Sequence, residues 1–248
     1  MPALNAILFD LGNTLLYFDG DWGTVLAEAR YAAFAAFQAA GVQVPAEPFL
    51  HIFRETLENH YARRADDLLE RTTLDLLTET VASLGYSSLP THLLETAHRA
   101  FYAVTQTHWL PELDAVTTLR VLHQQGYRMG VLSNAADDWD VQTLVNKAQV
   151  RPYLDFVMTS AAFGQRKPAP AIFRAALSHW NLPPARVAMV GDTLDADILG
   201  ANRMGLLSIW ITRRVASPPP TPSNELTPAL TISNLSELPQ ILSSWSVS

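Results

Sequence analysis

The chain has 248 residues, 48% of them hydrophobic and 17% charged, with a net charge of −7 and no cysteine. These values describe a globular protein with one large core, or one core carrying a smaller domain, and they exclude disorder and any general affinity for nucleic acid or anionic membranes. Disulfides, thiolate zinc sites and cysteine nucleophiles are excluded as well.

The sequence opens on an apolar stretch, Ala-Ile-Leu-Phe at 6–9, that reads as a buried strand ending in Asp10. It lacks a basic region followed by an apolar run, so no signal peptide is expected. No segment approaches the roughly 18 apolar residues that span a bilayer. The expectation is therefore a soluble, cytoplasmic protein.

Residues 17–111 read as helical, rich in alanine, leucine, glutamate and arginine. Segments 27–40 and 68–84 place apolar residues at helical spacing, and breaks fall at 41–48 and 85–90. From Glu112 the pattern changes to alternating helix and strand. Residues 113–125 read as a helix, and 128–132 and 156–159 as strands. Residues 170–180 read as a helix with proline in its first turn. Two further strands are expected at 187–190 and 207–211. Between them 196–204 reads as a helix closed by Gly205. The proline-rich stretch 216–228 reads as an exposed loop, followed by an edge strand at 230–232 and a short helix. Strands separated by helices point to a parallel sheet covered on both faces. The expected organisation is a core of 1–16 and 112–248, interrupted by a helical insert at 17–111. The insert leaves the core directly after the strand that carries Asp10. Ligands bind beyond the carboxyl ends of parallel strands, so the insert is expected to act as a lid.

The polar residues at strand ends carry the chemistry. Asp10 terminates the first strand, and Gly191-Asp192 terminates the strand at 187–190, with Asp195 and Asp197 soon after. A buried strand-end carboxylate is costly unless it is paired, hydrogen-bonded or bound to a cation. A cap at a helix N-terminus accounts for one of these acids, but not for all of them beside a strand-end Gly-Asp. An all-oxygen set suits Mg²⁺. Ser133 and Asn134 end the strand at 128–132, where a hydroxyl and backbone N–H groups suit a phosphate oxygen. Capping of the next helix is the plainer reading there. Lys167 lies at the mouth of a helix, where the dipole disfavours a cation unless an anion is near. The plainer reading is a solvated lysine beside a solvated Arg166. Together these residues form a phosphoryl-transfer kit: a carboxylate nucleophile, an oxygen-ligated cation, hydroxyl and amide donors, and a lysine.

With these residues in view, the sequence resembles the haloacid dehalogenase-like hydrolase superfamily along its whole length. Phe9-Asp10-Leu11-Gly12-Asn13-Thr14-Leu15, Leu132-Ser133-Asn134, Lys167-Pro168-Ala169-Pro170, and Val190-Gly191-Asp192 through Asp197 look like its four motifs, in order. The insert's position is similar to that of the subgroup with a helical cap after the first motif. The resemblance implies an α/β fold, a three-layer Rossmann-like parallel sheet with an inserted α-helical cap. It also implies Mg²⁺ as cofactor, an aspartyl-phosphate intermediate on Asp10, and a small phosphorylated metabolite as substrate. Catalysis would fall to Asp10 and Lys167, phosphate binding to Ser133, Asn134 and Lys167, and metal binding to Asp10, Gly12, Asp192 and Asp197. One departure stands out. The phosphatases of this superfamily usually carry a second aspartate two residues after the nucleophile, as acid and base. Here that residue is Gly12, which keeps a carbonyl for the metal but offers no proton. A positioned acid or base contributes about 10²–10⁴-fold. Three readings stay open: a phosphatase for substrates with good leaving groups or with an acid from elsewhere, such as Asp19 or Asp21; a non-catalytic binder of phosphorylated ligands; and a 2-haloacid dehalogenase, against which Asp192 and Asp197 count.

Overall fold

The computed structural model describes residues 4–215 and 224–245. Two compact units are present, one of Met1–Phe18 with Leu110–Ser248 and one of Asp19–Trp109.

The first unit is an α/β fold. Its strands are β1 (Ala6–Phe9), β4 (Arg128–Ser133), β5 (Phe156–Thr159), β6 (Val187–Gly191), β7 (Leu207–Ile211) and β8 (Leu230–Ile232). They form one sheet in the order β5-β4-β1-β6-β7-β8, and every neighbouring pair is parallel. Parallel neighbours need crossover connections. Here these are α5 (Ala115–Gln124), α6 (Asp138–Lys147), the short α7 (Ser160–Phe163) with α8 (Pro170–Ser178), and α9 (Leu199–Met204); α10 (Leu238–Trp245) closes the chain. All four residues of β1 and all five of β6 are buried. Ala6 and Leu8 pack in one cluster with Phe173 and Ala176 of α8. Side chains alternate along a strand, so the equally buried Ile7 and Phe9 face the opposite side. Burial on both faces explains why these strands read as continuous apolar runs rather than alternating ones. Gly200 marks a close contact between α9 and α8: a Cβ there would stand 2.2 Å from the Phe173 ring.

Two three-residue strands, β2 (Leu16–Phe18) and β3 (Trp109–Pro111), pair at the ends of the insert. The second unit contains α1 (Trp22–Ala39), α2 (Ala46–Asp67), α3 (Thr73–Ser83) and α4 (Thr91–His108). Its core gathers Phe37, Phe49, Phe53, Leu76, Leu77 and Phe101. The expected helix at 68–84 starts later. Leu68 adopts a left-handed φ of 56° after α2, and α3 begins only beyond Thr72, whose side chain forms a capping box with Asp75. Trp22 and Trp109 pack edge to face against each other at 6.5 Å between centroids. Arg64 stacks over Tyr61 and Arg71 pairs with Glu79. Of the proline-rich stretch, 216–223 lies outside the described residues, and Asn224–Leu226 forms a 3₁₀ turn.

Candidate active site

Strand order places the site. The chain moves from β1 to β4 and β5 on one side, then returns to β6 on the other, so its direction reverses between β1 and β6. Ligands gather at such a switch, beyond the carboxyl ends of the strands. Phe9 is in register with Val190, and the Asp10 N–H donates to the Val190 carbonyl at 2.9 Å. Asp10 and Asp192 therefore leave adjacent strand ends.

Asp10, Asp192 and Asp197 each present an oxygen, and these oxygens lie within 4.8 Å of one another. Asp195 is exposed and stands outside the cluster. Asp197 arrives by a π-helical turn, Leu194–Ile198, in which the Ile198 and Asp197 N–H groups both donate to the Thr193 carbonyl. π-turns frequently accompany functional sites. A sequence reading of 196–204 as one regular helix missed this wider turn; α9 begins only at Leu199. Gly191 makes room for it. A Cβ on Gly191 would lie 2.2 Å from Asp197 Oδ2, so the carboxylate occupies the place of the missing side chain.

Lys167 joins the cluster from the loop before α8. Its Nζ donates to Asp10 Oδ1 at 2.6 Å and to the Leu132 carbonyl at 2.6 Å, and stands 2.7 Å from Asp197 Oδ1. The last contact has ion-pair distance without hydrogen-bond alignment. Both residues of the Arg166-Lys167 pair are buried, at 8% and 3% exposure, which overturns the solvated reading of either. Burial opposes the lysine's charge, but Asp10 and Asp197 outweigh it and its pKa is raised.

The remaining expected residues fall around this centre. Ser133 ends β4 and is buried, opposite Thr159 of β5. Asn134 spends its carboxamide on the backbone of Lys167, accepting from its N–H at 2.7 Å and donating to its carbonyl at 3.0 Å. It caps no helix; Asp137 caps α6. Gly12 lies in a tight loop where the Leu15 and Leu16 N–H groups donate to the Leu11 carbonyl at 2.9 and 3.0 Å. Asp21, one alternative acid, caps α1 by accepting from the Thr24 N–H at 2.8 Å, which holds its carboxyl below the usual range and makes it a poor proton donor.

Several contributors carried little sequence signal. Asn13, at a left-handed φ of 55°, pulls the Asp192 carboxyl down against its burial. Thr193 donates its hydroxyl to Asp192 at 3.0 Å and its N–H to Asp197 at 3.1 Å. The Trp210 indole donates to the Asp192 carbonyl at 2.8 Å. Thr193 follows Asp192 directly and Asn13 lies three residues beyond Asp10, so both are short polar neighbours of acids in the sequence. Trp210 becomes visible only once Gly191 is known to face it across the β6–β7 pair.

The cluster is short of positive charge. Burial, then the charge of Asp10, raises the Asp192 carboxyl to about 6; burial raises Asp197 to about 7, with Asp10 adding to it against the pull of Lys167. Three carboxylates face one ammonium, and Asp197 Oδ1 has no aligned donor. An all-oxygen, electron-rich donor set of this kind fits a hard divalent cation.

A family model described as haloacid dehalogenase-like hydrolase matches residues 4–205. The chain belongs to this hydrolase family. The hydrolase is 29% identical over 211 residues to a glyceraldehyde 3-phosphate phosphatase of Methanothermobacter thermautotrophicus, covering 84% of this chain and 85% of that one. It is 28% identical over 246 residues to a phosphoserine phosphatase of Thermus thermophilus, covering 96% and 92%. Among solved structures it is similar to a 2-haloacid dehalogenase from Pseudomonas syringae, with a TM-score of 0.69 over 98% of this chain and 99% of that one at 23% identity, a likeness of fold. Among the described residues no helix is long and apolar enough to cross a membrane.

Proposed function

We propose that this hydrolase is a Mg²⁺-dependent phosphatase of small phosphorylated metabolites, with Asp10 as its nucleophile. The observation that carries the reading is the convergence of the Asp10, Asp192 and Asp197 oxygens within 4.8 Å, with Lys167 joined to Asp10 and Asp197. Relatives similar over most of the chain are named phosphatases of small metabolites.

In this reading Asp10, Asp192 and the Gly12 carbonyl hold the cation, with Asp197 in support. The cation supplies positive charge against the phosphoryl oxygens. Lys167 holds the Asp10 carboxylate in orientation through its hydrogen bond to Oδ1. The Ser133 hydroxyl and the Asn134 N–H donate to phosphate oxygens. Asp10 Oδ2, whose partner is the Thr14 hydroxyl at 3.5 Å, attacks phosphorus, the bond to the leaving oxygen breaks, and that oxygen takes a proton from solvent. Water then attacks the aspartyl phosphate at phosphorus, which releases phosphate and restores Asp10. The inserted helical unit serves as the cap that selects substrate.

A panel of phosphorylated metabolites, assayed with Mg²⁺ and with EDTA, tests this. Asp10→Asn is expected to abolish turnover. Asp192→Asn is expected to weaken Mg²⁺ binding, read by calorimetry, together with activity. Unchanged Mg²⁺ affinity in Asp192→Asn overturns the metal assignment. Turnover of 2-chloropropionate in EDTA, with no phosphatase activity, decides for the dehalogenase reading that Gly12 keeps open.

A further inference from the structure

Lys167 is held at both ends by one strand. Its peptide is gripped by the carboxamide of Asn134 through two hydrogen bonds, and its ammonium by the carbonyl of Leu132, two residues earlier. The loop that carries the lysine runs between α7 and α8, and within it the Ala169 N–H donates to the Arg166 carbonyl at 2.9 Å. The next residue after Asn134 extends the seam. The Ala135 N–H donates to the Ser160 hydroxyl at 2.9 Å, and that hydroxyl lies 3.2 Å from the Ala135 carbonyl, at the start of α7. A lysine has four flexible side-chain torsions, and fixing them costs rotamer entropy. A fixed peptide shortens the list of conformers that bring Nζ between Asp10 and Asp197. With the acceptor and one of its two N–H donors spent on the Lys167 backbone, the carboxamide keeps a single N–H for any other partner.

We propose that Asn134 is a positioning residue, whose carboxamide clamps the Lys167 peptide so that the ammonium stays between Asp10 and Asp197. What the ammonium is positioned to do rests on the phosphatase reading; the clamp does not.

The chain supplies its own control, because its lysines are Lys147 and Lys167. Lys147 is exposed in the last turn of α6. Brief acetylation with acetic anhydride, read by mass spectrometry as the Lys167-to-Lys147 labelling ratio, reports how well Lys167 is held without any turnover. In Asn134→Ala the ratio is expected to rise about ten-fold or more, as for loss of two hydrogen bonds. In Asn134→Asp, which keeps an acceptor for the Lys167 N–H, it rises less. Thermal unfolding checks that each variant folds, and Asn134→Asp alone suffices if Asn134→Ala does not. With p-nitrophenyl phosphate and Mg²⁺, kcat of Asn134→Ala falls about 10–100-fold, as when outer partners of a site residue are removed, and KM holds. An unchanged labelling ratio in both variants overturns the clamp whatever the activity. A raised KM with unchanged kcat also overturns it, since the carboxamide would then touch substrate. A raised ratio in a protein whose wild type hydrolyses no phosphate ester upholds the clamp and sinks the phosphatase reading.

Discussion

Gly12 offers no proton two residues beyond Asp10, the proposed nucleophile, and Lys167, Asn13 and Thr193 do not replace it. Lys167 is fixed on Asp10, Asp197 and Leu132, and Asn13 and Thr193 are directed at Asp192. A leaving oxygen must then depart unprotonated or borrow from solvent. The rate should depend steeply on leaving-group pKa: acetyl phosphate and p-nitrophenyl phosphate turn over, while simple alkyl phosphates are slow. Gly12 is not among the glycines with positive φ, so an aspartate there incurs no left-handed strain. Gly12→Asp is expected to raise kcat on alkyl phosphates by about ten-fold or more, within the usual size of an acid–base contribution. Mg²⁺ affinity should hardly change, because the carbonyl proposed to hold the cation is retained. Competent turnover with a flat leaving-group dependence would show that another residue gives the proton. At this scale the sequence shows which strand-end acids the fold gathers and little of their partners. Strand-end acids announce themselves because burial makes them costly. The Asn134–Lys167 clamp joins residues 33 positions apart through a backbone that no side-chain pattern marks.

The elements around the insert's return show a second layer of electrostatics. Glu112, just after β3, is buried and accepts from Arg214 Nε and Arg213 Nη1, both at 2.7 Å. Asp114 accepts from Arg213 and from the Ser236 N–H. This ties the segment before α5 to the loop after β7 and to the stretch before α10. Burial pushes both carboxyls up, but the hydrogen bonds from the arginines outweigh it and hold both below their usual range. A depressed folded pKa contributes stability above the unfolded value and loses it as pH falls through the folded one. The melting temperature should therefore fall as pH drops from about 4.5 downward. Glu112→Gln should melt lower than wild type at pH 7, with the gap narrowing toward pH 3. A gap of constant size across that range would mean the network's charges contribute nothing. Element-level reading of the sequence succeeded where burial is two-sided, as in β1 and β6, and failed where segments are short or punctuated. β2 and β3 have three residues each, too few to show a period. The break expected at 41–48 hid the start of α2, because Pro48 sits within that helix's first turn, where proline is tolerated.

At the scale of the molecule, one domain is written in two pieces around another. Asp10 comes from the first piece, and Lys167, Asp192 and Asp197 come from the second. The whole carboxylate–lysine centre therefore belongs to the sheet unit. The helical unit has its own apolar core. Its ends meet within it, where the Asp19 N–H donates to the His108 carbonyl at 2.8 Å. The sheet unit's cut ends, Phe18 and Leu110, lie on the paired strands β2 and β3, so a short connection of about four residues can join them. Replacing 19–109 by such a Gly/Ser linker is expected to leave a protein that unfolds cooperatively and binds Mg²⁺ with nearly wild-type affinity. The excised 19–109 segment is expected to keep a helical circular-dichroism spectrum. On the proposed reading, in which the sheet unit holds the chemistry and the helical unit selects substrate, turnover by the linked core should lose its discrimination among phosphorylated substrates. A linked core that folds but no longer binds Mg²⁺ would show that the metal site draws on the helical unit. A linked core with an unchanged substrate profile would show that selection lies in the sheet unit itself.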